Sequence, residues 1–333
     1  MKLTIAQIAK LANVSKATVS RALNGSGYVS EETRKKILEI VKKYDYVPDS
    51  KAVSLSKKKT NTIGIILPSV SGPFYGEVLK GAEEVLIHEG YFTLLVVLDS
   101  NNNIKKARER YLKVIREKRV DGAIIFDPML DQKTAIRIVE YGVPVIFLVK
   151  VFKEADSVTI DNFSASVAMM EHLIKDHGYK NIAFVRGPET SIDSEERYKG
   201  YMFSVQKYGL ETYVFNSDLT YEGGRKVFEK IKPFLKNLDA IFCANDEMAL
   251  GIVKELKNEG IHPGEDIAVV GFDDAVWTPH IEPPLTTVHQ PMYEYGKVAA
   301  SRLLDRIRYP DTFQKPLTIK LNWEIVIRKS CGC

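Results

Sequence analysis

From Thr62 onward the chain alternates two kinds of hydrophobic pattern. Short unbroken runs rich in Val, Ile and Phe occupy 62–67, 91–98, 121–126 and 143–149, and then 181–185, 212–215, 240–244 and 267–272. Between them, apolar positions recur every three or four residues near 74–89, 104–118, 132–141, 163–177, 195–208, 221–235 and 246–260. Unbroken β-branched runs mark strands buried on both faces of a parallel sheet, and the longer period marks amphipathic helices. The alternation predicts an α/β core, doubly wound, in two lobes. No sequence repeat relates the lobes; only the architecture recurs.

Residues 1–59 read differently. Thr4 followed by Gln7 is a capping box, and Leu3 and Ile8 stand at hydrophobic-staple positions, so a helix runs to about Leu11. Ala12-Asn13-Val14 turns the chain. Ser15 caps a second helix, with Thr18 at its third position, ending near Leu23 before Asn24-Gly25. A third helix starts at Ser30, with Glu31 and Glu32 in its first turn and an apolar face of Ile37, Val41 and Tyr44. Two short helices, a tight turn and a third helix make a helix-turn-helix module. On the second helix Val19 and Leu23 point to the small core, while Lys16, Ala17, Ser20 and Arg21 point outward. Short and cationic groups suit a major groove: Arg21 can fork onto guanine or grip a phosphate, and Lys16 and Ala17 reach base edges. A plain three-helix bundle is the alternative, and the outward polar face argues against it.

Charge strengthens that reading. Thirteen basic against five acidic side chains give residues 1–59 a net +8, leaving −4 for the remainder of a chain whose total is +4. A basic head on a mildly acidic body points to a polyanionic partner. With 333 residues, 45% hydrophobic and 27% charged, the chain has length for two domains or more and is not mostly disordered. No apolar run approaches the ~18 residues of a membrane span, and the lysine-bearing N-terminus is no signal peptide. Three cysteines cannot build a disulfide framework, which predicts a reducing, cytoplasmic setting.

In open parallel sheets, ligands bind beyond the carboxyl ends of the strands. That rule selects the loop 68–75, which holds Ser71, Phe74 and Tyr75; the loop 187–197, which holds Ser191, Asp193 and Arg197; and Leu219, Tyr221, Asn245 and Asp273 on later loops. Aromatic faces stack on sugar rings, while Arg, Asp and Asn pair with neighbouring hydroxyls. Each has a plainer reading. Asn245 can be a helix cap, Arg197 a surface ion pair, and Asp273 with Asp274 mere loop solvation. Their recurrence at the ends of different strands favours a site.

Thr4, Ile8, Ala9, Ala12, Val14, Ser15, Thr18, Val19, Ser20, Arg21, Leu23 and Asn24, followed by Val29-Ser30 and Tyr46-Val47-Pro48, resemble the head signature of the LacI/GalR family of bacterial repressors. The resemblance extends to Gly187-Pro188 with Arg197-Tyr198, to Ala244-Asn245-Asp246, to Val270-Gly271-Phe272-Asp273-Asp274 and to 283–288. It implies a DNA-binding domain over 1–48, with Thr4, Ser15, Lys16, Ala17, Thr18, Ser20, Arg21 and Asn24 on the operator. It implies a hinge over 49–60 that folds on DNA, with Leu55 wedged into the minor groove and small Ala52 allowing close approach. It implies a periplasmic-binding-protein-like core over 61–330, with crossovers near Asp161, Gln290 and Asn322. These divide the core into one lobe of about 61–160 and 291–321 and another of about 162–289 and 323–330.

By the same resemblance Arg197, Asn245 and Asp273 are effector ligands. Leu219 stands where many members carry a stacking aromatic ring, a place Tyr221 can fill. Asp193 and Ser191 stand where purine-responsive relatives carry a basic residue. The expected protein is a repressor of homodimeric type on a pseudo-palindromic operator, controlled by a small molecule, a sugar or sugar derivative. The alternative is a corepressor-dependent regulator that responds to a purine or a partner phosphoprotein. The chain ends at Cys333 without the leucine heptads of tetrameric members, which is why a dimer is expected.

No HExxH, GxSxG or P-loop motif occurs, so an enzyme is not expected. No cofactor and no metal site are expected either. His172 and His177, five apart, do not share a face of an α-helix; Cys331 and Cys333 could bind a metal or oxidise, but two ligands on a free tail are weak evidence, and a tail without a role is the favoured reading. Cys243 reads as inert core.

Overall fold

The computed structural model describes residues 3–25, 27–46, 59–70, 72–98, 104–313 and 315–333. The expected hinge residues Ala52 and Leu55, and Ser71 of the first core loop, lie outside the described residues. The chain forms two compact units, one ending at Thr60 and the other starting at Asn61.

In the first unit, helices α1 (Ile5–Ala12), α2 (Lys16–Asn24) and α3 (Glu31–Lys43) close on a small core of Ile8, Ala9, Ala12, Val19, Ala22 and Ile37. Each helix begins at a hydroxyl cap. Thr4 Oγ1 accepts from the Gln7 amide while Gln7 Oε1 accepts from the Thr4 amide at 2.8 Å. Ser15 Oγ accepts from the Thr18 amide at 3.1 Å, and Ser30 Oγ from the Thr33 amide at 3.3 Å. Tyr44 departs from expectation and is 46% exposed. The helix ends one residue before it, and left-handed Asp45 (φ 46°) turns the chain so that Tyr46 packs on the core instead.

The second unit holds two parallel sheets. In the first, β1 (Thr62–Leu67), β2 (Phe92–Val97), β3 (Gly122–Ile125), β4 (Val145–Leu148), β5 (Asp156–Thr159) and β11 (Thr318–Lys320) lie in the order β11-β5-β4-β3-β1-β2. Strand β1 sends Ile63, Ile65 and Leu67 to one face and Ile66 to the other, the period-two alternation of a strand covered on both sides. Helices α5 (Ile104–Arg116) and α6 (Gln132–Glu140) cover one face through Tyr111, Ile115, Ala135 and Ile138. Helix α4 (Pro73–His88) and helix α11 (Met292–Arg308) pack together and contribute Val78, Ala82, Leu86 and Leu303 to the other core. On β2, the edge strand, Phe92 is 75% exposed while Val96 is buried.

The second sheet has the order β7-β6-β8-β9, with β6 (Ile182–Arg186), β7 (Tyr213–Asn216), β8 (Ala240–Cys243) and β9 (Ala268–Val270). Its helices are α7 (Asn162–Glu171), α8 (Ile192–Tyr208), α9 (Tyr221–Ile231) and α10 (Asp246–Asn258). The chain passes between the sheets after β5, again between β10 (Thr287–His289) and α11, and a third time between β11 and β12 (Glu324–Val326); β10 and β12 pair as an antiparallel ribbon. Strands β5, β10, β11 and β12 carry only three or four residues, several of them polar, which is why no hydrophobic run announced them. Buried Asp156 on β5 ties α11 down by accepting from Arg302 at 2.6 Å and from Arg306 at 2.8 and 2.9 Å.

Two further expectations are corrected. Helix α7 does not run on to His177; it changes to a π turn, His172–Asp176, which brings the His172 and His177 rings edge to face at 4.9 Å. The C-terminal residues are not a free tail. Ser330 and Cys331 are fully buried, and Ser330 Oγ donates to the Val269 carbonyl at 2.6 Å. No helix among the described residues is long and apolar enough to cross a membrane.

Helices α4 and α11 approach through Gly81 and Gly296. A Cβ on Gly296 would lie 1.8 Å from the Val78 carbonyl oxygen, and one on Gly81 1.9 Å from that of Tyr293. Both obstacles are backbone and cannot swing aside. Gly296→Ala is therefore expected to destabilise the core by at least about 1–3 kcal/mol, the usual cost of overpacking. Calorimetric unfolding checks this, and an unchanged midpoint would contradict the close packing.

Candidate functional site

On the first unit, α2 presents Lys16, Ala17 and Arg21 to solvent, with Ser20 half-buried beside them. Positions i, i+1, i+4 and i+5 share one helix face. Thr4, Ser15 and Thr18 are engaged in the caps that set where α1 and α2 begin, so they orient the face. Asn24 closes the backbone of α2.

In the second unit a cavity of about 540 Å³ opens where the strands of both sheets end. Its walls follow the carboxyl-end rule strand by strand: Phe74 and Tyr75 after β1, Phe126 to Met129 after β3, Val149 after β4, Pro188 to Arg197 after β6, Asp218 to Tyr221 after β7, Asn245 to Glu247 after β8, and Asp273 after β9. Phe74, Tyr75, Ser191, Asp193, Arg197, Leu219, Tyr221, Asn245 and Asp273 all line this space.

One wall is a connected polar network. Arg197, nearly fully buried, donates from Nε to Asn162 Oδ1 at 2.8 Å and from Nη1 to the Ala244 carbonyl at 2.5 Å and to Asp273 Oδ1 at 3.3 Å. Asn162 Nδ2 donates to Asp193 Oδ1 at 2.8 Å, and Gln290 Nε2 to Asp273 Oδ1 at 2.5 Å. The guanidinium lies 3.7 Å from the centre of the buried Phe272 ring. A buried cation is tolerable only when paired and hydrogen-bonded on several sides, and this one is. Burial pushes the Asp273 carboxyl up to about 6 against the pull of Arg197 and Gln290, with nearby Asp193 adding to the rise. Burial likewise raises Asp193, opposed by Arg197 and by the Asn162 hydrogen bond.

Below this network lies Asp246, fully buried, whose carboxyl accepts from Thr287 Oγ1 at 2.6 Å and from the Ala275 amide at 2.9 Å. Burial drives its pKa well up, with the Asp273 charge adding to the rise. Gly271 makes room for it: a Cβ there would sit 2.1 Å from Asp246 Oδ1. Asn245 Oδ1 caps α10 through the Met248 amide at 3.1 Å, and its Nδ2 donates to the Leu219 carbonyl at 2.9 Å. It is thus both a cap and a brace for the loop that carries Leu219.

The opposite wall is aromatic. Phe74 meets Tyr75 at 5.4 Å and Phe126 at 5.9 Å between ring centres, and Tyr75 meets Phe126 at 5.7 Å. Burial, and then the Asp193 and Asp273 carboxylates, raise the Tyr75 hydroxyl far above its ordinary range, so it stays a neutral donor. Asp127 is held by Arg108 at 2.7 and 2.8 Å and by the Tyr111 hydroxyl at 3.0 Å.

Three cavity residues carry left-handed backbone without being glycine: Val149 (φ 71°), Leu219 (φ 66°) and Asp273 (φ 125°). For a β-branched valine this is an outlier, and such strain gathers where a site imposes it. Asn162 and Phe126 were not singled out in the sequence, and Asp246 and Gln290 stood there only in a motif and at a crossover, not as site residues. Asn162 and Gln290 stand at the passages between the sheets, and that position was the only signal they offered.

The chain matches the family described as bacterial regulatory proteins, lacI family, over residues 4–49, and the periplasmic binding protein-like domain over residues 170–331. It is 34% identical to catabolite control protein A of Priestia megaterium over 99% of both chains. Its fold is similar to that of the lac repressor dimer bound to operator and the anti-inducer ONPF, at 25% identity and a TM-score of 0.87 over 100% of both chains. It is also similar to a LacI family transcriptional regulator from Enterococcus faecium with bound ribose, at 26% identity and a TM-score of 0.73, over 81% of this chain and 98% of that one.

The Asp273 carboxyl makes one prediction. Its folded value of about 6 lies above the ordinary ~3.9, so the folded chain keeps a proton that the unfolded chain has released. Its contribution to stability is complete at low pH and fades as pH rises through about 4 to 6. Relative to Asp273→Asn, the protein is expected to lose on the order of 3 kcal/mol across that window, read from urea unfolding. A difference that stays flat with pH would contradict the burial of this charge.

Proposed function

This chain belongs to the LacI family of bacterial regulatory proteins, DNA-binding transcriptional repressors and not enzymes, and from that premise we propose that a neutral sugar in the cavity controls its hold on operator DNA. The arrangement of Arg197, Asp193 and Asp273 opposite Phe74 and Tyr75 carries this reading. Carboxylates accept hydrogen bonds from hydroxyls, Arg197 donates to the same hydroxyls, and aromatic faces cover the apolar side of a sugar ring. An anionic effector would meet two carboxylates against one guanidinium already paired with Asp273, which disfavours it. The ribose bound by the Enterococcus faecium relative supports the same class of ligand.

The head would read the operator through Lys16, Ala17, Ser20 and Arg21 on the outward face of α2, two heads to a pseudo-palindromic site, with the hinge over 49–60 joining each head to its core in the cytoplasm. The solved relative bound to operator is a dimer. The effector acts through differential affinity for two arrangements of the lobes, because a ligand that binds both equally shifts nothing.

Arg197→Ala and Asp273→Ala are each expected to leave operator binding within about twofold of wild type and to abolish the effector response. Calorimetry with a panel of mono- and disaccharides against purines, paired with operator titration, measures both. Sugar binding lost in these variants supports the proposal. Purine binding without sugar binding would replace it with a purine-dependent regulator, and joint loss of DNA and effector binding in well-folded variants would remove these residues from the site.

A further inference from the structure

Away from the cavity, four ligating side chains converge on one point. His172 and His177 stand at either end of the π turn His172–Asp176, and Cys331 and Cys333 lie in the last turn of the chain. One nitrogen from each imidazole and the two sulfurs all lie within 4.8 Å of one another. The juxtaposition is a product of the π turn. Its i→i+5 hydrogen bonding sets residues five apart over one another, where an α-helix would have splayed them. Gly332 supplies the matching turn on the other side. Its φ of 94° is left-handed backbone, and a Cβ there would press to 2.8 Å from the Tyr179 hydroxyl.

The surroundings are those of a metal centre. His172 Nδ1 lies 2.8 Å from Asp176 Oδ2, and a carboxylate only accepts, so the proton sits on Nδ1. That leaves a lone pair on Nε2, which is buried without a hydrogen-bond partner and faces the Cys331 thiol. A carboxylate that fixes the outer nitrogen of a histidine is the usual support of a metal ligand. His177 Nε2 lies 3.2 Å from Cys333 Sγ, and its ring stacks on Tyr179 at 5.0 Å. Zn–N and Zn–S bonds of about 2.0 and 2.3 Å put tetrahedral ligands about 3.3–3.8 Å apart, so only a small contraction separates this cluster from that geometry.

We propose that His172, His177, Cys331 and Cys333 form a Cys2His2 zinc site that fastens the C-terminal turn to the end of α7. Binding releases the two thiol protons, and two thiolates neutralise the divalent ion, so no net charge is left in a partly buried place. With all four positions filled by protein, the site is structural. It anchors a segment whose Ser330 already bridges the Val269 carbonyl and the Thr286 amide, next to Thr287 under the cavity floor.

The test uses the full chain purified without a metal-binding tag, with elemental analysis for zinc. About one zinc per chain is expected. Cys333→Ser, at an exposed position that does not endanger folding, and His177→Ala are each expected to lower that content at least tenfold. Cobalt(II) loaded in place of zinc should give the intense visible bands and thiolate charge transfer of a tetrahedral site. A chelator should lower the unfolding midpoint of the wild type and leave that of Cys333→Ser unmoved. Zinc content unchanged in both variants, no zinc or cobalt taken up by the reduced wild type, or a Cys331–Cys333 disulfide persisting in reductant would each overturn the proposal.

Discussion

The core is organised around one buried guanidinium. Arg197 sits under the strand ends of the second sheet with almost no access to water, and an ionised group there must be matched on every side. Asn162, the Ala244 carbonyl and the adjacent Phe272 ring and Asp273 carboxyl supply that match from three separate segments of chain. The cation therefore fixes its own helix against three segments that are far apart in the sequence. The strained backbone of Asp273 (φ 125°) lies at the carboxylate that pairs with it.

Two members of that network stand where the chain passes between lobes. Asn162 opens α7 just after β5, and Gln290 follows β10 just before α11. A ligand that pairs with Arg197, Asp193 or Asp273 thereby touches the hydrogen bonds that brace the passages. In the proposed function this is the physical route by which a small molecule sets the balance between two lobe arrangements. The opposing aromatic wall of Phe74, Tyr75 and Phe126 belongs to the first sheet. A ligand spanning the cavity would bind both lobes at once, so its affinity depends on how far apart they stand.

Much of the fold was legible in local pattern. The hydroxyl caps at Thr4, Ser15 and Ser30 marked three helix starts, because an unpaired amide at a helix N-terminus needs a nearby acceptor. The Val/Ile runs marked β1, β3, β4, β6 and β8, whose burial on both faces admits little else. Tyr44 misled because a helical period carries no notice of where the helix stops. Strands β5, β10, β11 and β12 were silent because so short a segment is made a strand by its neighbour in the sheet.

The head, the alternation of strand and helix, and the loops at which a ligand would be met follow from residue pattern alone, since each depends on contacts within a few residues or on a topological rule. It takes the folded chain to bring Asn162 and Gln290 into the Arg197 network, to make Asn245 both a cap and a brace, and to set two histidines five apart against two cysteines over 150 residues further on. Those are pairings across sheets and across the whole chain length. They are set by how the two lobes are threaded, and no local propensity encodes that.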